Sequence, residues 1–172
     1  MTDHRLFFAV RPSRQAAARA WRLATELQRD YGGRVIPPER LHVTLALVSR
    51  TPGPPDSSAV DHAGRAAATV ALRPFTVALN RLQKWTPIVL VGDEGVIGLE
   101  LLHAALARAL GRDPDAGFVA HMSLVWNSDP IAERTVEPFR WSVGEFLLIH
   151  SVRGDSRHDV LGRWPLDVSA AP

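Results

Sequence analysis

The chain has 172 residues, 46% of them hydrophobic and 22% charged, the make-up of one globular domain with a substantial core. Having no cysteine excludes a disulfide framework, a thiolate metal centre and a cysteine nucleophile, and no apolar run approaches the length of a membrane span. The net charge is only +2, and although Lys84 is the lone lysine among many arginines, no dense basic stripe marks a long nucleic-acid track.

Met1–Arg5 has no signal-peptide character and runs into Leu6-Phe-Phe-Ala-Val10, which reads as a buried strand; a cytoplasmic location is expected. Arg11-Pro12-Ser13 breaks that strand, with Ser13 placed to cap a helix that runs to about Tyr31 and stops at Gly32-Gly33. After Pro37-Pro38 a strand is expected from Leu41 to Val48, then a loop at Thr51–Asp56 and a polar, Ala-rich helix over 56–70. Phe75–Leu79 alternates like a strand, and Pro87–Val91 reads as a buried one. A helix over Val96–Leu110 carries Leu99, Leu102, Leu106 and Leu110 on one stripe and ends at Gly111. Strands are then expected over Val119–Trp126, Trp141–Val152 and His158–Leu166, followed by a frayed tail from Asp167.

Two strings within these strands carry chemistry: His42-Val-Thr-Leu45 and His121-Met-Ser-Leu124. Alternate side chains of a strand share a face, so His42 and Thr44 point one way while Val43 and Leu45 point the other; His121 and Ser123 repeat this against Met122 and Leu124. The two histidines lie 79 residues apart, and the same offset relates Leu23 to Leu102, Leu27 to Leu106 and Gly32 to Gly111. Each half thus reads strand, helix, glycine stop, irregular link, then a strand bearing His-x-Thr/Ser-Leu. Such an echo implies two similar lobes, built around 42–45 and 121–124 within a single domain of residues 1–172. A pseudo-two-fold axis between the lobes brings both histidine faces to one cleft.

A lone His-x-Thr is more often structural than catalytic. Two copies at matched positions are harder to dismiss, because His and Thr on an inward face are costly to bury unless a hydrated cleft receives them. The remaining histidines, His4, His62, His103, His150 and His158, read as structural or surface residues, the last two near the cleft. A metal site made of His42, His121 and Asp155 lacks any supporting ligand spacing, and no nucleophile elbow surrounds Ser123 or Thr44. No metal and no cofactor are therefore expected. Histidine titrates near neutrality, so one neutral and one protonated imidazole can serve as base and acid while two hydroxyls hold phosphate oxygens.

The paired strings resemble the signature of the 2H phosphoesterase superfamily. The whole chain is similar to its RNA 2′,3′-cyclic phosphodiesterase branch, the 2′-5′ RNA ligase or LigT-like family. Supporting features are Arg5-Leu-Phe-Phe-Ala-Val10, Pro38-Glu-Arg-Leu-His42, Pro74-Phe75 and Leu161-Gly-Arg-Trp-Pro-Leu166, which spread the likeness over residues 5–166. Three positions depart from the family pattern. Ala120 stands where proline commonly precedes the second histidine, Trp126 where an arginine follows the motif, and His158 where an aromatic residue is usual near the last turn.

The resemblance implies an α+β, bilobal fold with two antiparallel-rich sheets around a central cleft and helices outside. It implies metal-independent hydrolysis of a 2′,3′-cyclic phosphate to a 2′-phosphomonoester, with 2′-5′ ligation as the reverse reaction. His42, Thr44, His121 and Ser123 are the implied catalytic residues, His121 as base for water and His42 as acid for the leaving 3′ oxygen. The expected partner is an RNA terminus or nucleotide bearing a 2′,3′-cyclic phosphate, taken up by a monomer with no membrane association. Phe7, Phe8, Trp126, Trp85 and Arg153 are candidate contacts for base and phosphate, with Arg50 and Arg157 further candidates for phosphate. The competing readings are a non-catalytic module that binds RNA ends or a nucleotide, and a phosphoesterase for another small cyclic phosphate.

Overall fold

The structure is a computed structural model that describes residues 2–155 and 157–170. In chain order its elements are β1 (His4–Val10), α1 (Arg14–Tyr31), β2 (Arg34–Val35), a 3₁₀ turn (Pro38–Arg40), β3 (Val43–Thr51) and α2 (Ser57–Ala68). There follow β4 (Phe75–Lys84), β5 (Ile88–Val91), α3 (Ile97–Ala109), β6 (His121–Trp126), β7 (Arg134–Val143), β8 (Glu145–Val152) and β9 (His158–Pro165). The strands form one antiparallel sheet in the order β7-β4-β5-β6-β3-β1-β8-β9, with β2 added to β6. Read outward from its centre, the sheet is two four-stranded halves of the same design. The two sheets expected from the sequence are these halves, and they join through the β3–β6 contact.

That contact is a single residue pair, Val43 opposite Met122. Beyond it the two strands splay, and each leaves a free edge whose backbone groups need partners. The edge of β6 is covered by β2 and by the Ile36 amide, which donates to the Leu124 carbonyl at 2.9 Å. The edge of β3 is covered by side chains: His103 donates from Nδ1 to the Leu45 carbonyl at 2.7 Å, and Arg112 donates to the carbonyls of Leu47 and Val48. Leu45 sits where the β1–β3 register slips, Phe8 facing Ala46 and Ala9 facing Thr44, so its carbonyl has no strand partner in that ladder.

The helices cover one face of the sheet and cross between the halves. α1 leaves β1 but packs on β6 and β7; α3 leaves β5 but packs on β3. Ser13 caps α1 by accepting from the Ala16 amide at 3.1 Å, and Asp56 caps α2 by accepting from the Ala59 amide at 2.7 Å. Gly32 and Gly111 end α1 and α3 at φ of 68° and 76°, a left-handed backbone that explains both glycine stops. The core between helices and sheet joins Ala20, Ala24 and Leu27 of α1 and Leu99, Leu102 and Leu106 of α3 to Phe8, Val43, Met122 and Leu124 of the strands.

One expected strand, Trp141–Val152, is two strands separated by Gly144, and β7 begins earlier, at Arg134. β7 lies at the sheet edge, which tolerates Pro138 within a polar run that carries little strand signal. Since β7 belongs to one half and β8 to the other, Gly144 ties the two halves within about 7 Å of chain. No helix among the described residues is long and apolar enough to cross a membrane.

His103→Phe keeps an aromatic ring on Phe118 but strands the Leu45 carbonyl and the Asp115 amide that His103 now pairs. At about 1–3 kcal/mol for the buried Leu45 carbonyl, with the amide of exposed Asp115 left to water, urea denaturation should show a loss of about 1–3 kcal/mol.

Candidate active site

Extending the Val43–Met122 register by one residue in each direction sets His42 opposite Ser123 and Thr44 opposite His121. Val43 and Met122 are wholly buried on the helix side, while these four are half-buried on the opposite, open face. The axis relating the halves passes through the valine–methionine pair, so each histidine faces the hydroxyl residue of the other strand. Diagonal neighbours in an antiparallel ladder stand about 7–8 Å apart, which leaves room for a tetrahedral phosphate between the two imidazoles.

Both imidazoles are held in the same way. His42 donates from Nδ1 to the Arg40 carbonyl at 2.7 Å, and His121 donates from Nδ1 to the Val119 carbonyl at 2.8 Å. A carbonyl only accepts, so Nδ1 carries hydrogen in each ring and Nε2 is left for chemistry. Each tether comes from the residue two positions earlier, just before the strand begins. The first is presented by the 3₁₀ turn, the second by the loop leading into β6. That loop is anchored by His103, whose Nε2 accepts from the Asp115 amide at 3.1 Å and whose ring stacks on Phe118 at 4.0 Å.

The surroundings of the two imidazoles differ. The His42 ring packs against Phe7 at 5.3 Å and edge-on against His158 at 5.1 Å. Burial pushes the His42 pKa down to about 4, with the nearby Arg11, Arg40 and His121 adding to the effect and the Arg40 carbonyl opposing it. Burial likewise pushes His158 down to about 3, helped by His42, Arg40 and Arg11. His121 instead lies under the Trp85 indole at 4.5 Å. A cavity of about 490 Å³ opens on this side, lined among others by Thr44, Trp85, Asp113, Phe118 and His121.

Of the candidate substrate contacts, the structure brings Phe7 against His42 and Trp85 against His121. Phe8 requires correction: it is 0% exposed, packed against Phe146 and Trp164 in the core, because it alternates with Phe7 along β1. Trp126 is exposed at the far end of β6, past a register slip against β5 at Leu124, where its backbone pairs with Arg34 of β2, and it does not line the cavity beside His121. Arg153 is exposed in the β8–β9 turn, its amide donating to the Asp3 carbonyl at 2.8 Å. Arg50 is engaged by Asp3 through two hydrogen bonds of 2.7 and 2.9 Å, and Arg157 lies beside Asp155 at 3.8 Å.

His4 and His150 pair with each other at 2.9 Å. Among the described residues, no group of three or more His, Cys, Asp or Glu side chains is arranged to hold a metal ion. Sequence reasoning missed Arg11 and Arg40 as site residues. The signal for Arg11 was strand parity, which it shares with Phe7 and Ala9; Arg40 was marked only as part of the Pro38–His42 approach to the first motif.

A family model described as the 2′-5′ RNA ligase superfamily matches residues 10–155. Among solved structures, Escherichia coli LigT in its apo form is similar at a TM-score of 0.80 and 22% identity, covering 96% of this chain and 99% of that one. The E. coli LigT–phosphate complex is similar at 0.78 and 23% identity, with 96% and 99% covered. A crystal structure described as a phosphoesterase is similar at 0.75 and 22% identity, with 95% and 98% covered. No curated protein matches in sequence.

Two measurements check the electrostatics. Proton NMR titration should find the His42 imidazole neutral down to about pH 4 and its pKa raised when phosphate binds. Because His42 and His158 have folded pKa values below the unfolded value of about 6.5, the unfolded chain takes up protons first as pH falls. Stability should be full above about pH 6.5 and decline toward pH 4, and His158→Tyr should reduce that decline in thermal melts.

Proposed function

This chain belongs to the 2′-5′ RNA ligase superfamily, and on that premise we propose that it hydrolyses a 2′,3′-cyclic phosphate, at an RNA end or on a nucleotide, to a 2′-phosphomonoester. The superfamily is one of phosphoesterase and ligase-type enzymes. The observation that carries the reading is the pair of Nε2 atoms freed by matching Nδ1 tethers, set diagonally with Thr44 and Ser123 between them. The E. coli LigT structures with 3′-AMP and with phosphate support a mononucleotide and its phosphate as suited to this fold.

The chemistry balances with these groups alone. His121 takes a proton from water as its oxygen attacks phosphorus, the bond from phosphorus to the 3′ oxygen breaks, and His42 gives that oxygen a proton. Thr44 and Ser123 donate to the non-bridging oxygens as charge builds on them. His42 is neutral in the free protein at neutral pH, so in this scheme it gains its proton as the anionic phosphate arrives beside Nε2. That same low pKa favours a second assignment, with His42 as base and His121 as acid. The cavity beneath Trp85 then receives the nucleoside, with the indole as a stacking surface. A cytoplasmic monomer that acts without metal completes the proposal.

Nucleoside 2′,3′-cyclic phosphates and RNAs with that terminus should be turned over in the presence of chelator, with the 2′-phosphate as the product isomer. His42→Ala and His121→Ala should each lower kcat by about 10²–10⁴-fold, and Thr44→Val or Ser123→Ala by about 10²–10³-fold. Full activity in either histidine variant would overturn the mechanism, and binding without turnover would indicate a non-catalytic module. A substrate with sulfur in place of the 3′ oxygen needs no acid, so it should rescue His42→Ala and leave His121→Ala impaired; the reverse pattern would exchange the roles.

A further inference from the structure

The catalytic patch is nearly two-fold symmetric, but the charge around it is not. Continuing the Val10–Val43 register by one residue puts Arg11 beside His42 across β1 and β3. The matching position in the other half, opposite His121, is Val91 of β5. Two residues before each histidine the contrast recurs: Arg40 precedes His42 and Val119 precedes His121. At both related pairs of positions an arginine on one side answers a valine on the other.

Both arginines are half-buried, and each keeps one buried nitrogen without a partner among the described residues. The Nε atoms of Arg11 and Arg40 are buried without a hydrogen-bond partner among the described residues, as is Nδ1 of His158. Nε2 of His158 lies 3.5 Å from an Arg40 Nη, which ties the third group into the cluster. The surroundings are themselves cationic, with Arg34 near Arg40 and Arg163 near Arg11, while Glu39 and Asp155 act on Arg40 without forming an ion pair. Partly desolvated cations set close together without a paired carboxylate are costly, and an anion that supplies several acceptor oxygens offsets that cost.

One phosphate is already assigned to the space between the two imidazoles, so this cluster is available to another. We propose that Arg11, Arg40 and His158 form a second anion subsite, which takes the phosphate on the 5′ side of the nucleoside bearing the cyclic phosphate. The proposal rests on the cyclic-phosphate reading above and adds a substrate preference to it. By holding that phosphate on the His42 side, the subsite orients the substrate on an otherwise symmetric patch and so fixes which imidazole meets the leaving oxygen. The phosphate is either a terminal 5′-phosphate or an internal phosphodiester of RNA, since both present the same anionic oxygens one ribose away.

Calorimetry on the intact protein separates this subsite from turnover. Adenosine 3′,5′-bisphosphate should bind about 10- to 100-fold more tightly than adenosine 3′-monophosphate, as charge-assisted hydrogen bonds to one further phosphate give. Arg11→Gln and Arg40→Gln should each shrink that ratio markedly, and the double variant should bring it within about 2-fold. The ratio is internal to each variant, so a general loss of affinity does not mimic the effect. Equal binding of the two ligands by the unaltered protein, or an undiminished ratio in the double variant, would overturn the subsite.

Turnover of adenosine 2′,3′-cyclic phosphate, its 5′-phosphorylated form and the dinucleotide ApA ending in a cyclic phosphate then identifies the source. Preference for the second or third over the first, lost in the double variant, supports the subsite and tells which phosphate it takes. If none is turned over while the arginine-dependent bisphosphate preference persists, the hydrolysis reading fails and the subsite stands.

Discussion

One residue pair, Val43 against Met122, joins the two halves of the sheet, and the functional face depends on it. Being apolar and wholly buried, the pair points into the core, and strand alternation then forces the residues on either side of it to the opposite face. In antiparallel register those flanking residues are a histidine and a hydroxyl residue from each strand. The candidate catalytic quartet is thus the reverse side of a core contact. A slip of either strand by one residue would turn its histidine into the core, so the packing of two apolar side chains protects the register of the polar ones.

Contact at one pair only also makes the cleft. Strands that stayed paired would offer a flat ladder with no cavity beside the histidines; strands that splay must satisfy two exposed backbone edges. The molecule solves the two edges differently, with a short strand on β6 and with His103 and Arg112 on β3. His103 does more than cap an edge. Its second nitrogen and its ring hold the loop that presents the Val119 carbonyl to His121, so a buried histidine on the helix side helps set the tautomer of the imidazole on the open face.

Much of this was legible in the chain itself. The helices over Arg14–Tyr31 and Ile97–Ala109 follow from periodicity, Ser13 and the glycine stops, and the motif strands follow from alternation. The 79-residue echo exposed the two-fold design because both halves solve the same packing problem with leucines and glycines at the same places. Weak local signals failed where expected. Arg34–Val35 is too short to announce itself, and the polar run with Pro138 hid an edge strand that exists only because β4 lies beside it. Phe7 and Phe8 were indistinguishable as neighbours in an apolar run, yet alternation gave one to the site and the other to the core.

The sequence by itself determined the half-fold and the chemical groups, since periodicity, caps and the His-x-Thr/Ser strings act over a few residues of chain. Only the tertiary structure decided how those groups meet. The register of β3 on β6, the convergence of Arg11, Arg40 and His158 on His42, and the placing of Trp85 over His121 all join residues far apart in sequence. Their neighbours across the sheet are chosen by core packing, and their titration is set by burial and by charges the local chain does not carry.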